Sequence, residues 1–230
     1  MQRSTVFQEE RAIVQTDFIR RVYNWMALGL AVTAITSLFA INSGVIHTLL
    51  SPGVMLVLIL AELGIVIALS AAIGKLQSST ALIMFFAYSF LNGLTLATIF
   101  LVYTKASIAS TFFVTAGTFA AMSLYGLTTK RDLTSMGSFL MMGLIGIIIA
   151  SFVNFFFRSP AFYWLLTYAG IAIFVGLTAY DAQKIKEMAY GGFAGSEDER
   201  KGAVIGALRL YLDFINLFLL LLRIFGRRSD

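Results

Sequence analysis

The chain has no cysteine, two prolines and one histidine, and only 13% of its 230 residues are charged. Each scarcity excludes something. Without cysteine there are no disulfides, no thiolate chemistry and no cysteine-bound metal. The single histidine, His47, falls in a short loop with no second histidine nearby, so it reads as a surface residue and not as a metal ligand. Pro52 and Pro160 lie beside long apolar blocks, not inside them, where a proline would remove a backbone donor and clash with the preceding turn. The charged fraction is about half of the roughly 25% that soluble domains carry. No phosphate loop, zinc signature or nucleophile elbow occurs, and nothing in the sequence calls for a cofactor.

What is present is apolar surface. The chain is 59% apolar with a mean hydropathy of +0.86. Its apolar residues form seven blocks: Asn24–Ile41, Gly53–Ile73, Ala81–Val102, Ile108–Leu127, Met136–Phe157, Ala161–Tyr180 and Gly202–Phe225. Each is near the length of about 20 residues that a membrane-crossing helix needs. None alternates apolar and polar residues as a β-barrel strand would. The expectation is an all-α integral membrane protein with seven transmembrane helices. Residues 1–23 form an N-terminal segment, 24–226 the transmembrane domain and 227–230 a short tail. Residues 1–23 are mixed polar and charged, without the apolar core and cleavage site of a signal peptide, so the first span serves as its own insertion signal.

A net charge of +5 invites a nucleic-acid reading, and its distribution argues for topology instead. With the N-terminus cytoplasmic, Arg3, Arg11, Arg20, Arg21, Lys75, Lys130, Arg131, Lys184, Lys186, Arg200 and Lys201 are inside. Outside are Lys105, Arg158, Arg227 and Arg228, a split of 11 to 4 that follows the positive-inside rule. A seventh segment that dipped in and returned would make the split 13 to 2, but its length favours a full crossing. Tyr23, Trp25, Tyr163 and Trp164 lie at span ends, as interfacial anchors do. The segment Gln183–Lys201 is the one long loop. It is expected to bend at its glycines and to begin a solvated helical turn at Ser196–Lys201.

Inside the spans the ionisable residues are Glu62, Asp181, Arg209, Asp213 and Arg223. Charge at mid-membrane costs at least about 2.5 kcal/mol per residue on insertion scales, so such residues face partners and mark function. In the last span Arg209, Asp213, Asn216 and Arg223 are spaced by four, three and seven, which puts them on one helical face. A polar stripe of this kind suits a helix surrounded by the other six. Asp213 falls roughly 9 Å deep from Ala207 at 1.5 Å per residue, on the side where Asp181 ends span six. Either the two aspartates meet and share one proton, since both cannot ionise cheaply, or each is satisfied separately, Asp213 by Arg209. Glu62 pairs with Arg223 or is itself protonated.

The stretches T-A-Y-D-A-Q-K-I (Thr178–Ile185) and L-Y-L-D-F-I-N-L-F-L-L-L-L-R-I-F-G (Leu210–Gly226) resemble the Bax inhibitor-1, or TMBIM, family, particularly its bacterial members. Y-G-L-T-T-K-R-D-L (Tyr125–Leu133) and V-Y-N-W-M (Val22–Met26) extend the likeness over the whole chain. The resemblance implies a seven-helix fold with the last helix central, in the bacterial inner membrane, and a pH-sensitive calcium leak. It implies Asp181 and Asp213 as the proton-sharing sensor and transient calcium ligands, Arg223 as the latch and Glu62 as its counter-charge. Lys75 is only near a basic position of some members. Arg209 is outside the motif, and with Asn216 stands as a possible modulator.

The leading expectation is therefore not an enzyme but a cation leak whose partners are the bilayer, calcium or other cations, and protons. Paired intramembrane aspartates also define aspartyl proteases. Asp213, however, follows Leu-Tyr-Leu and no glycine-containing motif, and no proline-alanine-leucine segment is present. A non-transporting regulator of membrane proteases or stress machinery, and an exchanger, are the other readings.

Overall fold

The structure, a computed structural model, describes residues 2–190 and 196–229, with 2–14 described by their backbone alone. Among these residues the elements are α1 (Gln2–Asn42), α2 (Ile46–Leu49), α3 (Pro52–Ala72), α4 (Ser78–Leu96), α5 (Ile99–Val102), α6 (Lys105–Thr128), α7 (Thr134–Phe157), α8 (Pro160–Tyr190) and α9 (Glu197–Phe225). Seven stretches are long and apolar enough to cross a membrane, with α4 and α5 together forming the third. The all-α class and the count of seven spans are as the apolar blocks predict.

Helix ends depart from hydropathy. Helix α1 begins at Gln2, well before Asn24, and α8 continues to Tyr190, beyond the expected end at Tyr180. Neither extension contains glycine or proline, so nothing stops the helix where its apolar stretch ends. Hydropathy marks bilayer thickness and not helix length. The expected bend at Gly191 and Gly192 lies outside the described residues. The turn expected at Ser196–Lys201 is the start of α9, where Ser196 Oγ accepts from the Glu199 N–H at 3.1 Å. Glu197, Asp198 and Glu199 crowd this first turn, where the helix dipole favours negative charge.

The chain divides into two compact units. The first comprises residues 1–102 and 186–211. Here α1 and α4 are joined by hydroxyls: Thr33 Oγ1 donates to the Ser89 carbonyl at 2.9 Å, and Ser37 Oγ to the Gly93 carbonyl at 2.7 Å. Gly93 permits this approach, because a Cβ there would come within 2.7 Å of the Thr33 carbonyl oxygen. Ala40, Ile46, Leu49, Leu58 and Ala97 form an apolar cluster behind it. The Glu197 carboxylate caps the start of α4, accepting from the N–H and hydroxyl of Ser78.

The second unit comprises residues 103–185 and 212–230. Phe174 and Leu177 of α8 pack with Leu217 and Leu221 of α9. Gly126 brings α6 against the Ala179 carbonyl of α8. After α9 the chain pairs with the start of α6, the Thr104 N–H donating to the Arg227 carbonyl at 2.9 Å beside a Tyr103–Arg228 bridge.

Helix α9 is one unbroken run of 29 residues. At 1.5 Å per residue it reaches about 43 Å, more than the ~30 Å hydrocarbon core. The last segment is therefore long enough to cross, and it does not turn back. Its apolar window is also 67% buried, against 6% for α3 and 0% for α7. The outward residues of α7, including Phe139, Ile145, Phe152 and Phe155, are what hydrocarbon would cover.

Because Gly93 is a contact and Gly117 is open, the two glycines should respond oppositely. Gly93→Val is expected to lower stability by about 1–3 kcal/mol through overpacking. Gly117→Ala, with nothing within 4 Å of its Cβ, should be neutral or stabilise by up to about 1 kcal/mol. Thermal unfolding in detergent reads both.

Candidate functional site

The last helix carries most of the sequence-predicted residues, and burial sorts them. Asp213 is 5% exposed and Asn216 is half-buried, whereas Arg209 and Arg223 are exposed. The four share a face by spacing, but that face is covered over Asp213 and open at the two arginines. The stripe is thus not uniformly enclosed: long basic side chains reach outward where a short carboxylate cannot. Asn216 Nδ2 donates to its own helix at Leu212 O, 2.8 Å. The Arg223 guanidinium lies 5.1 Å from the centre of the Tyr163 ring, a cation–π contact.

Asp181 is half-buried on α8, in the same unit as Asp213. Gly170 of α8 meets the Leu220 side chain of α9, beside the cluster of Phe174, Leu177, Leu217 and Leu221. From that contact Asp181 lies eleven residues on along α8 and Asp213 seven residues back along α9.

The neighbourhood of Asp181 explains two of the quoted motifs. Gln183, 7% exposed, accepts from the Leu133 N–H and donates to the Arg131 carbonyl, each at 2.8 Å. Lys184 Nζ donates to Thr134 Oγ1 at 3.1 Å. The K-R-D-L loop is thereby stapled to α8 one turn beyond Asp181. In that loop, outside the spans, the Asp132 carboxyl is held below the usual carboxylate range by hydrogen bonds from Thr134, its hydroxyl first and its backbone N–H second.

A second polar cluster occupies the first unit. Glu62 of α3 accepts from Asn92 Nδ2 at 3.2 Å and from the Thr95 hydroxyl, both on α4. Asn92 Oδ1 accepts from the Tyr211 hydroxyl of α9 at 3.0 Å. That hydroxyl is 2.6 Å from Thr33 Oγ1 of α1. Four helices are thus joined by one polar series, in which the single Thr33 hydroxyl proton is divided between the Tyr211 oxygen and the carbonyls of Gly29 and Ser89. Tyr211 is fully buried, its ring edge-on to Phe85 at 5.8 Å and Tyr88 at 5.6 Å. Asn92, Thr95, Tyr211 and Thr33 were not singled out in the sequence. Asn92 inside an apolar block was the legible signal, since an amide in hydrocarbon needs partners.

Helix α6 adds hydroxyls to the second unit. Ser107, Thr111, Thr115 and Ser123 are buried on one face, spaced by four and eight. Thr111 Oγ1 and Ser123 Oγ have no hydrogen-bond partner among the described residues. Phe119, in the slot between Thr115 and Ser123, packs against Phe214 with ring centres 5.5 Å apart.

Removing the Tyr211 hydroxyl leaves Asn92 Oδ1 without its donor, while Thr33 keeps the Gly29 and Ser89 carbonyls. Tyr211→Phe should cost about 0.5–2 kcal/mol. Asn92→Ala also strips a donor from Glu62 and should cost more. Unfolding of each variant in mixed micelles measures the order, and the reverse order would contradict the chain of bonds.

Residues 15–230 match the family described as "Inhibitor of apoptosis-promoting Bax1". The chain is 54% identical over 231 residues to the inner membrane protein YbhL of Escherichia coli K12, covering 98% of this chain and 97% of that protein. It is 44% identical over 225 residues to a protein of Borreliella burgdorferi, covering 97% of each. A protein of Rickettsia prowazekii is 44% identical over 215 residues, covering 93% of this chain and 90% of its own. With the match spanning nearly its full length and every quoted motif inside it, the chain belongs to the Bax inhibitor family.

Proposed function

We propose that the protein is a pH-responsive cation leak of the bacterial inner membrane, with calcium as a permeant ion. The observation that carries the reading is Asp213, 5% exposed within an apolar span. A carboxylate there needs a partner, a cation or a proton. Asp181 is one that α8 offers, and together they can divide one proton. The inner membrane assignment rests on the name of the relative YbhL.

The buried hydroxyls of α6 support a route past the pair. Calcium sheds water only where several oxygens replace it. Thr111 and Ser123 are oxygens of this kind. Phe119 against Phe214, next to Asp213, is an apolar constriction of the type that gates by dewetting. Arg223 is the latch cation of this reading.

The pH sign follows from the pair. With one proton shared, the carboxyls bind each other and hold α8 to α9. With none, they repel. Flux should therefore rise with pH, by at most about tenfold per unit for a single proton. Calcium entry into dye-loaded proteoliposomes tests this across pH. Asp213→Asn and Asp181→Asn should each flatten the profile to less than about twofold per unit. A wild-type profile kept by both variants sinks the sensor.

A further inference from the structure

At the end of the first unit where α1, α4 and α9 begin their apolar stretches, a pocket of about 290 Å³ lies between the three helices. Its lining has a regular order. Helix α1 contributes Arg21 and, four residues on, Trp25. Helix α4 contributes Ser78, Ser79 and Leu82, and α9 contributes Arg200 and Val204. Each helix thus places a polar residue at the rim and an apolar one a turn deeper, about 6 Å further in.

The charges at the rim are not all taken. Glu199 forms an ion pair with Arg21 at 3.6 Å, and Glu197 occupies the Ser78 N–H and hydroxyl. A guanidinium has five N–H donors, so one contact at that distance leaves most of Arg21 available. The Arg200 guanidinium is exposed and makes no side-chain hydrogen bond among the described residues, with Glu197 one turn back as its electrostatic neighbour. Two arginines facing one pocket are suited to bidentate phosphate recognition. Below them Val204 is buried and Trp25 and Leu82 are half-buried. A free phosphate would have no use for that floor, whereas the start of an acyl chain would.

We infer that this pocket binds the phosphate of an acidic phospholipid, with Arg21 and Arg200 on the phosphate and Trp25, Leu82 and Val204 on the glycerol and upper acyl chain. Basic pockets between helices at the membrane surface take such headgroups, and tryptophan sits at that depth. The site joins the first turn of α9 to α1 and α4 through a lipid.

Trp25 is itself the probe. The chain has two tryptophans, so Trp164→Phe leaves Trp25 alone. In vesicles, brominated phosphatidylglycerol should quench Trp25 at a several-fold lower mole fraction than brominated phosphatidylcholine. Arg200→Ala, which disturbs no internal bond, should shrink that preference, and adding Arg21→Ala should abolish it. Inorganic phosphate at millimolar concentration should leave the quenching unchanged. Equal quenching by the two lipids, or a preference retained by Arg200→Ala and the double variant alike, overturns the inference. Loss of quenching on adding phosphate alone would assign the pocket to the free ion and overturn the lipid.

Discussion

Inside hydrocarbon a polar atom has to be satisfied by the protein itself, because no water is there to do it. Nearly every distinctive feature of this molecule follows from that constraint. Most of its span surface is apolar and uninformative, and the exceptions are grouped. Glu62, Asn92, Tyr211 and Thr33 answer one another in series across four helices. Gln183 answers two backbone groups of the K-R-D-L loop. Thr33 and Ser37 reach across to carbonyls of α4. Such bonds are individually modest, about 0.6 kcal/mol on average between membrane helices. Their value is in register: each is made at one rotation and one height of the helix that bears it.

Helix α9 shows how this selects a sequence. Tyr211 and Asp213 are two residues apart and so leave the helix about 200° apart. One takes part in the Glu62 series, and the other lies on the side that carries Asn216. Buried residues run almost continuously from Ala203 to Phe218, on all sides of the helix. A membrane helix with one lipid face would not need this, and a helix buried all round has little freedom to substitute.

The spans were legible because apolar runs of bilayer length have few other uses. Their ends were not, because helix continuation past Tyr180 and before Asn24 depends on the absence of breakers, which hydropathy ignores. Asp181 and Asp213 stood out as charges in apolar sequence. Asn92 carried a weaker form of the same signal, and Tyr211 carried none: a tyrosine in a span is ordinary until its hydroxyl is seen against an amide and a threonine. The shared face of Arg209, Asp213, Asn216 and Arg223 could be read from spacing. Which part of it is covered could not, since that depends on the neighbouring helices. The pocket below Arg21 and Arg200 was invisible for the same reason, although its three polar–apolar steps of four residues are each present in the sequence.

The short pairing of the C-terminal residues with Tyr103 and Thr104 has a mechanical consequence. Helix α9 is moored at its far end to the first turn of α6 by backbone bonds that no side-chain change can remove. It is therefore poorly placed to slide like a piston. Its first turn is fastened as well, by Glu197 on Ser78 and Glu199 on Arg21, so a bulky group appended at the C-terminus would load a helix held near both ends.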